Sequence, residues 1–265
     1  MLTILITYCG VGAIAGVLAG LLGIGGGLVI VPMLIYIMGT QGVSTEILMH
    51  VALGTSMASI MFTSISSFMA HHKRGAVRWE VVRRIVIGIF TGTFIGSCFA
   101  SAMSTGFLKG FFCIFLYVVA TQMIMNKKPK ASRDLPGTLG MFATGNIIGG
   151  VSSLVGIGGG TLSVPFMVWC NIPVHHAIGT SAAIGLPIAV AGTIGYIFNG
   201  WGLASLPAYS IGYINLPALV GIASISVLTA PLGVRLAHSL PVDKLKRIFA
   251  VLLYGVGTKM FIGLI

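Results

Sequence analysis

Acidic side chains are almost missing from this chain: Glu46, Glu80, Asp134 and Asp243 are the only four in 265 residues. Together with fifteen Lys and Arg they bring charged residues to 7% of the sequence, against about 25% in a soluble domain. That shortage excludes an ordinary water-facing surface. It also removes the intramembrane carboxylate on which a sodium site or a proton relay of the usual kind is built. Cysteine is scarce as well. Cys9, Cys98, Cys113 and Cys170 show no C-x-x-C spacing and lie in or beside apolar runs, so they read as small buried hydrophobes. No metal site and no cofactor are expected. The opening run 2–22 lacks the positively charged start of a signal peptide and is mirrored internally by 136–155, so it reads as mature structure.

Apolar residues, by contrast, make up 56% of the chain, and its mean hydropathy is +1.05. The fold class is therefore an all-α polytopic membrane protein. Apolar runs fall at about 2–22, 28–39, 47–70, 80–103 and 107–125, then at 137–155, 161–170, 176–199, 209–236 and 245–265. Between the fives lies a polar linker, Asn126–Pro136. The formal net charge of +11 sits in short loops, which suits anionic lipid headgroups as a partner and not nucleic acid.

The two fives are copies. L-G-I-G-G-G-x-x-x-V-P at Leu22–Pro32 returns as V-G-I-G-G-G-x-x-x-V-P at Val155–Pro165, 133 residues on. Gly54-Thr55-Ser56 returns as Gly179-Thr180-Ser181 at an offset of 125. Gly75, Gly96, Lys109, Phe112, Tyr117, Thr121 and Met123 recur 137 positions on. The domains are thus a first repeat, 1–125, a basic linker, 126–136, and a second repeat, 137–265.

Basic loops orient membrane proteins toward the cytoplasm. One arrangement puts Lys73, Arg74, Arg78, Arg83 and Arg84 inside, with Lys127, Lys128, Lys130 and Arg133 of the linker, and with Arg235, Lys244, Lys246 and Arg247. Only Lys109 and Lys259 remain outside. It requires segments two and seven to be half-spans that return to the face they came from, an odd number of crossings per half, and both termini outside. The repeats are then inverted relative to one another. Trp79, Trp169 and Trp201 fall at segment ends, as interfacial Trp does.

Gly25-Gly26-Gly27 and Gly158-Gly159-Gly160 cannot stay helical cheaply. Broken backbone at membrane depth survives only where protein or a water-filled cavity satisfies its polar groups. Two half-helices starting at these breaks would aim their N-termini, each with free N–H groups and about half a positive charge, at one midplane region. Matched glycine breaks in two halves point to a transporter's binding site. The competing reading is close helix packing through small residues, which accounts for most of the 38 Gly.

Thr55, Ser56, Thr180 and Ser181 could donate hydroxyls to an anion there, or bond the carbonyl one turn back. Thr161 opens the second half-helix where the first has Leu28, so it is the expected source of asymmetry. His50, His175 and His176 stand where helices begin, which suits interfacial contact; they are also the candidates for proton or charge coupling. His71, His72 and His238 lie in basic loops and read as solvated or lipid-facing.

At these residues the chain resembles the TauE/SafE family, the sulfite exporter or toluene sulfonate uptake permeases. The motifs are G-x-L-A-G-L-L-G-I-G-G-G-x-x-x-V-P at Gly16–Pro32, its second copy through Pro165, and H-x-A-I-G-T-S at His175–Ser181, echoed at His50–Ser56. The resemblance implies a secondary transporter, exporter or permease, of sulfite, sulfoacetate, other sulfonates or other small anions, usually in a bacterial cytoplasmic membrane. An anion-conducting channel of the same architecture is the alternative. An enzyme is not expected, because Gly54-Thr55-Ser56 near His50 gives no readable Ser/His pair and both halves carry the motif.

Overall fold

A computed structural model of the chain describes residues 2–23, 25–125, 133–239 and 242–263. Among them the first half holds α1 Leu2–Leu22, α2 Gly27–Thr40, α3 Leu48–His72, α4 Trp79–Ala102 and α5 Thr105–Met125. The second holds α6 Thr138–Val155, α7 Gly160–Trp169, α8 Val174–Gly200, α9 Leu216–Ser239 and α10 Val242–Ile262. Boundaries fall within a few residues of the apolar runs, with one exception. The run expected to begin at 209 starts as a small antiparallel hairpin, β1 Ser210–Ile211 with β2 Ile214–Asn215, and turns helical only at Leu216. Tyr209 and Gly212 have φ of 60° and 53°, a left-handed geometry that a right-handed helix cannot contain.

Among the described residues seven helices are long and apolar enough to cross a membrane, and the chain is a multi-pass membrane protein. α10 matches them in length but carries Asp243, Lys244, Lys246 and Arg247 at its start and Lys259 near its end. α2 and α7 have 14 and 10 residues. At 1.5 Å per residue they reach about 21 and 15 Å, short of a hydrocarbon core of about 30 Å.

α3 and α8 form the middle. Their apolar windows are 83% and 67% buried, against 33–44% for the other five spans, which turn residues such as Ile87, Ile114, Ile147 and Leu228 outward. Lipid supplies no hydrophobic drive between helices, so close backbone approach has to hold them together. Gly12, Gly16 and Gly20 of α1 supply it against Ile222, Ser226 and Ala230 of α9; Gly88, Gly92 and Gly96 of α4 supply it against Phe142, Asn146 and Gly150 of α6. A Cβ at any of the six would strike the facing helix.

These contacts also set direction. α1 and α9 run parallel, as do α4 and α6, because residue numbers rise together along each seam. α3 and α8 run antiparallel: Gly54 lies by Tyr196, Gly192 by Met57 and Gly185 by Ser64. So do α5 and α10, where Tyr117 Oη meets Thr258 Oγ1 at 2.9 Å and Thr121 Oγ1 meets Tyr254 Oη at 2.6 Å. The first helix of each half thus packs on the fourth helix of the other, and third on third, fifth on fifth.

The short helices double back. Gln41, just past α2, donates Nε2 to Tyr8 Oη of α1 at 3.3 Å. Asn171, just past α7, donates Nδ2 to the Arg133 carbonyl ahead of α6 at 3.4 Å, and the Arg133 guanidinium lies 4.9 Å from the Trp169 ring. Arg74 Nη1 donates to the Val234 carbonyl at 3.3 Å, which brings the α3–α4 turn beside the end of α9. Lys73, Arg74, Arg78, Arg133 and Arg235 consequently share one end of the bundle. Lys127, Lys128 and Lys130 lie outside the described residues, as do the side chains of Lys244 and Lys246. At the opposite end Lys259 Nζ sits 4.3 Å above the Tyr36 ring of α2.

Candidate functional site

The two glycine breaks end in matching caps, although Gly25 has a φ of 79° and its counterpart Gly158 is not left-handed. Gly26 (φ 82°, ψ −8°) caps α2 and Gly159 (φ 76°, ψ −8°) caps α7, a left-handed conformation that glycine adopts without the Cβ penalty. Gly23 and Gly156, which precede them, both have φ of 68°. Val29 and Ile30 donate to the Gly26 carbonyl at 3.0 and 3.1 Å, and Leu162 and Ser163 to that of Gly159 at 3.0 and 2.8 Å. Neither cap residue has a side chain to satisfy the first-turn N–H groups.

The breaks also meet. A Cβ on Gly25 would stand 3.0 Å from Gly158 Cα, and one on Gly27 would collide with the Gly156 carbonyl oxygen. Gly25, Gly26, Gly27, Gly158, Gly159 and Gly160 therefore belong to one zone; Ile24 lies outside the described residues.

Thr55, Ser56, Thr180 and Ser181 are fully buried, and each bonds the opposite half. Ser56 Oγ donates to the Gly156 carbonyl at 2.8 Å, and Ser181 Oγ to that of Gly23 at 3.0 Å. Thr55 Oγ1 accepts the Asn215 N–H at 3.0 Å, and Thr180 Oγ1 that of Arg78 at 2.9 Å. Asn215 and Arg78 are themselves equivalent, each opening the fourth helix of its half. The serine protons are thus committed to backbone carbonyls. The threonine hydroxyls accept, and each keeps a proton to give. Gly54 and Gly179 belong to the same joint, since a Cβ there would stand 2.6 Å from the Tyr213 carbonyl oxygen and 2.8 Å from Ala76 Cβ.

The histidines divide. His50 is buried, points Nε2 at the carbonyls of Ala100 and Met103 at 3.2 and 3.0 Å, and stacks on Tyr213 with ring centroids 5.2 Å apart. Its counterpart His175 is exposed at the other end of the bundle, beside His176, whose Nδ1 lies 3.1 Å from the Ala76 carbonyl. None of the three reaches the glycine zone through these contacts. His71 overturns its loop reading: it is 1% exposed, and Nε2 donates to the Gly20 carbonyl of α1 at 3.0 Å. The residue 125 positions on is Tyr196, whose Oη donates to the Ser153 carbonyl of α6 at 2.9 Å. Gly20 and Ser153 are equivalent at the 133 offset, so each third helix holds the last turn before a break with one ring. Sequence alone hid this because the two rings differ and His71 adjoins His72, Lys73 and Arg74.

No Lys, Arg, Asp or Glu occurs in α1, α2, α3, α6, α7 or α8. Positive potential in the zone comes from N–H groups, hydroxyls and helix ends. Ser163 Oγ donates to Ser181 Oγ at 2.9 Å. Ser152 and Thr161 carry buried hydroxyls with no hydrogen-bond partner among the described residues. Ser152 was not singled out in the sequence, where it is one serine in an apolar run. No cluster of His, Cys, Asp or Glu able to hold a metal occurs among the described residues. At the end opposite the basic loops a cavity of about 930 Å³ opens among Tyr8, Gln41, Ser44, Leu206 and Asn215. Asn215 connects it to Thr55 through the bond described above. Burial pushes the Tyr213 phenol above its ordinary range, so the ring that stacks on His50 is neutral.

The family model described as "Sulfite exporter TauE/SafE" matches residues 8–260. The chain belongs to the TauE/SafE family. It is 40% identical to a probable membrane transporter protein of Haemophilus influenzae, over 99% of this chain and all of that one. It is 28% identical to a probable membrane transporter protein of Methanocaldococcus jannaschii, over 95% of this chain and 93% of the relative. Another, from Bacillus subtilis, is 27% identical over 71% of this chain and 77% of its own length. No solved structure matches. The motifs that carried the resemblance to TauE/SafE proteins, both G-I-G-G-G breaks and both G-T-S tripeptides, are among the residues through which the halves touch.

Proposed function

We propose that this TauE/SafE protein is a secondary transporter of small sulfur-containing anions, such as sulfite, sulfoacetate or other sulfonates, in a bacterial cytoplasmic membrane. The anion binds near the midplane between the N-termini of α2 and α7. It moves by alternating access of two inverted repeats, 1–125 and 137–265, with the basic linker inside and both termini outside.

The observation that carries this reading is the meeting of the two breaks, each with the same left-handed cap and free first-turn N–H groups, in a region without formal charge. Inversion is supported by direction. α1 starts beside the end of α2 and hence at the face where α3 starts, and α4 runs back. α6 stands in the same relation to α8 and α9. Because α1 is parallel to α9 and α4 to α6, the halves must point oppositely. The shared end of Lys73, Arg74, Arg78, Arg133 and Arg235 supports the inside assignment. The cavity by Tyr8 and Asn215 is then the way in from outside, and α2 and α7 are re-entrant. The family and the names of the relatives supply the transport class and the sulfur anions.

Purified protein in liposomes should take up labelled sulfite or sulfonates down a gradient, saturably, with inhibition by one unlabelled member of the set. Flux no greater than that of protein-free liposomes for every sulfite and sulfonate tried would overturn the reading.

A further inference from the structure

We propose that the ligand is a monoanion lying between the two helix N-termini and gripped by side chains of the second half only, the hydroxyls of Ser152 and Thr161 at the start of α7. The inference rests on the anion-transport reading and adds to it the ligand's charge class and the residues that grip it.

Buried hydroxyls are ordinarily paired. Here two unpaired ones flank one helix end. Thr161 lies in the first turn of α7 and is 8% exposed; Ser152 is in the last turn of α6 and is fully buried. Ser152 faces the α7 terminus, since a Cβ on the cap residue Gly159 would stand 3.4 Å from Ser152 Oγ. Both hydroxyls have a proton to give and nothing among the described residues to receive it. The first half offers no such grip, because the equivalent positions are Ala19 and Leu28. Ser163, the third hydroxyl on this stretch, is committed to Ser181 and to the staple onto Gly23.

Charge follows from what surrounds the zone. Each half-helix N-terminus contributes about half a positive charge, so the two together balance about one negative charge. No Lys or Arg occurs in the helices that form the zone, so a second negative charge would be buried without compensation, at a large desolvation cost. A sulfonate or hydrogensulfite fits; sulfate or the sulfite dianion does not.

The test pairs labelled sulfite uptake in liposomes with thermal stabilisation of detergent-solubilised protein by methanesulfonate and by sulfate. Wild type should be stabilised by methanesulfonate and not by sulfate, and methanesulfonate alone should compete for uptake. Ser152→Ala and Thr161→Val should each weaken half-saturation about 10- to 150-fold, the worth of one hydrogen bond to a charged group. Thr161→Ser, which keeps the hydroxyl, should stay near wild type and shows that loss of folding is not the cause. Ala19→Ser and Leu28→Val, on the other half, should change little. Wild-type half-saturation in both Ser152→Ala and Thr161→Val, or equal effects of sulfate and methanesulfonate, would overturn this assignment while leaving transport standing. A wild type that neither binds nor moves any of these anions would overturn both.

Discussion

The two glycine breaks share a cap conformation and differ in what lies around it. Gly26 and Gly159 take the same φ and ψ, and both preceding turns are pinned by a ring from the third helix. Yet the first break is flanked by Ala19, Leu28 and Ile30, the second by Ser152, Thr161 and Ser163. The shape of each cap depends on glycine and on the opposite half, while the side chains at the matching places differ. A symmetric frame with unequal linings is a means of holding one ligand off centre, and the same contrast yields unequal costs for equivalent substitutions.

The largest contrast is expected at the caps. A Cβ on Gly26 would stand 2.8 Å from the Ala15 carbonyl oxygen and 3.0 Å from Ala15 Cβ, so α1 itself would have to move. A Cβ on Gly159 would meet the tip of Ile188, which can rotate away. Gly159→Ala should cost about 1–2 kcal/mol, the penalty of the left-handed conformation. Gly26→Ala should prevent recovery of folded protein. Yields by size-exclusion chromatography and thermal unfolding in detergent separate the two, and equal losses would mean that the caps are constrained alike. Gly159→Leu, in protein that still folds, should abolish anion binding.

Next come the mirrored histidines. His50→Ala removes the ring donor from the Met103 carbonyl and leaves a hole beside Tyr213, at a cost of about 2–5 kcal/mol. His175→Ala, on an exposed side chain, should stay within about 0.5 kcal/mol. Chemical denaturation of both variants checks this. A His175 variant that abolishes uptake while remaining folded would instead give that residue a part in coupling.

The smallest contrast lies in the cross-half staples. Ser56→Ala orphans one buried carbonyl, that of Gly156, worth about 1–3 kcal/mol. Ser181→Ala orphans the Gly23 carbonyl and the Ser163 hydroxyl together, so it should cost up to about twice as much. Adding Ser163→Ala to Ser181→Ala should return part of the loss, which a double-mutant cycle would read.

The helices and the glycine breaks were legible in the sequence because each has a local signal: an apolar run or three glycines. What joins the halves was not. The hydroxyls of Thr55, Ser56, Thr180 and Ser181 look the same on paper whether they face a ligand, their own helix or another chain segment. In space they bind Asn215, Gly156, Arg78 and Gly23, each at least 100 residues away along the chain. Charge misled at His71, where a basic turn suggested solvent although the ring faces α1. The hairpin before α9 was hidden by apolar residues that suit a strand as well as a helix.

Inversion of the halves is the central claim, and sided labelling of one loop in its two copies tests it most directly. His72 ends α3, Tyr209 lies in the loop that follows α8, and both are exposed. In a background without other cysteines, His72→Cys should react with a membrane-impermeant maleimide only after the cells are opened, and Tyr209→Cys should react in intact cells. Labelling of both from the same side would contradict the account.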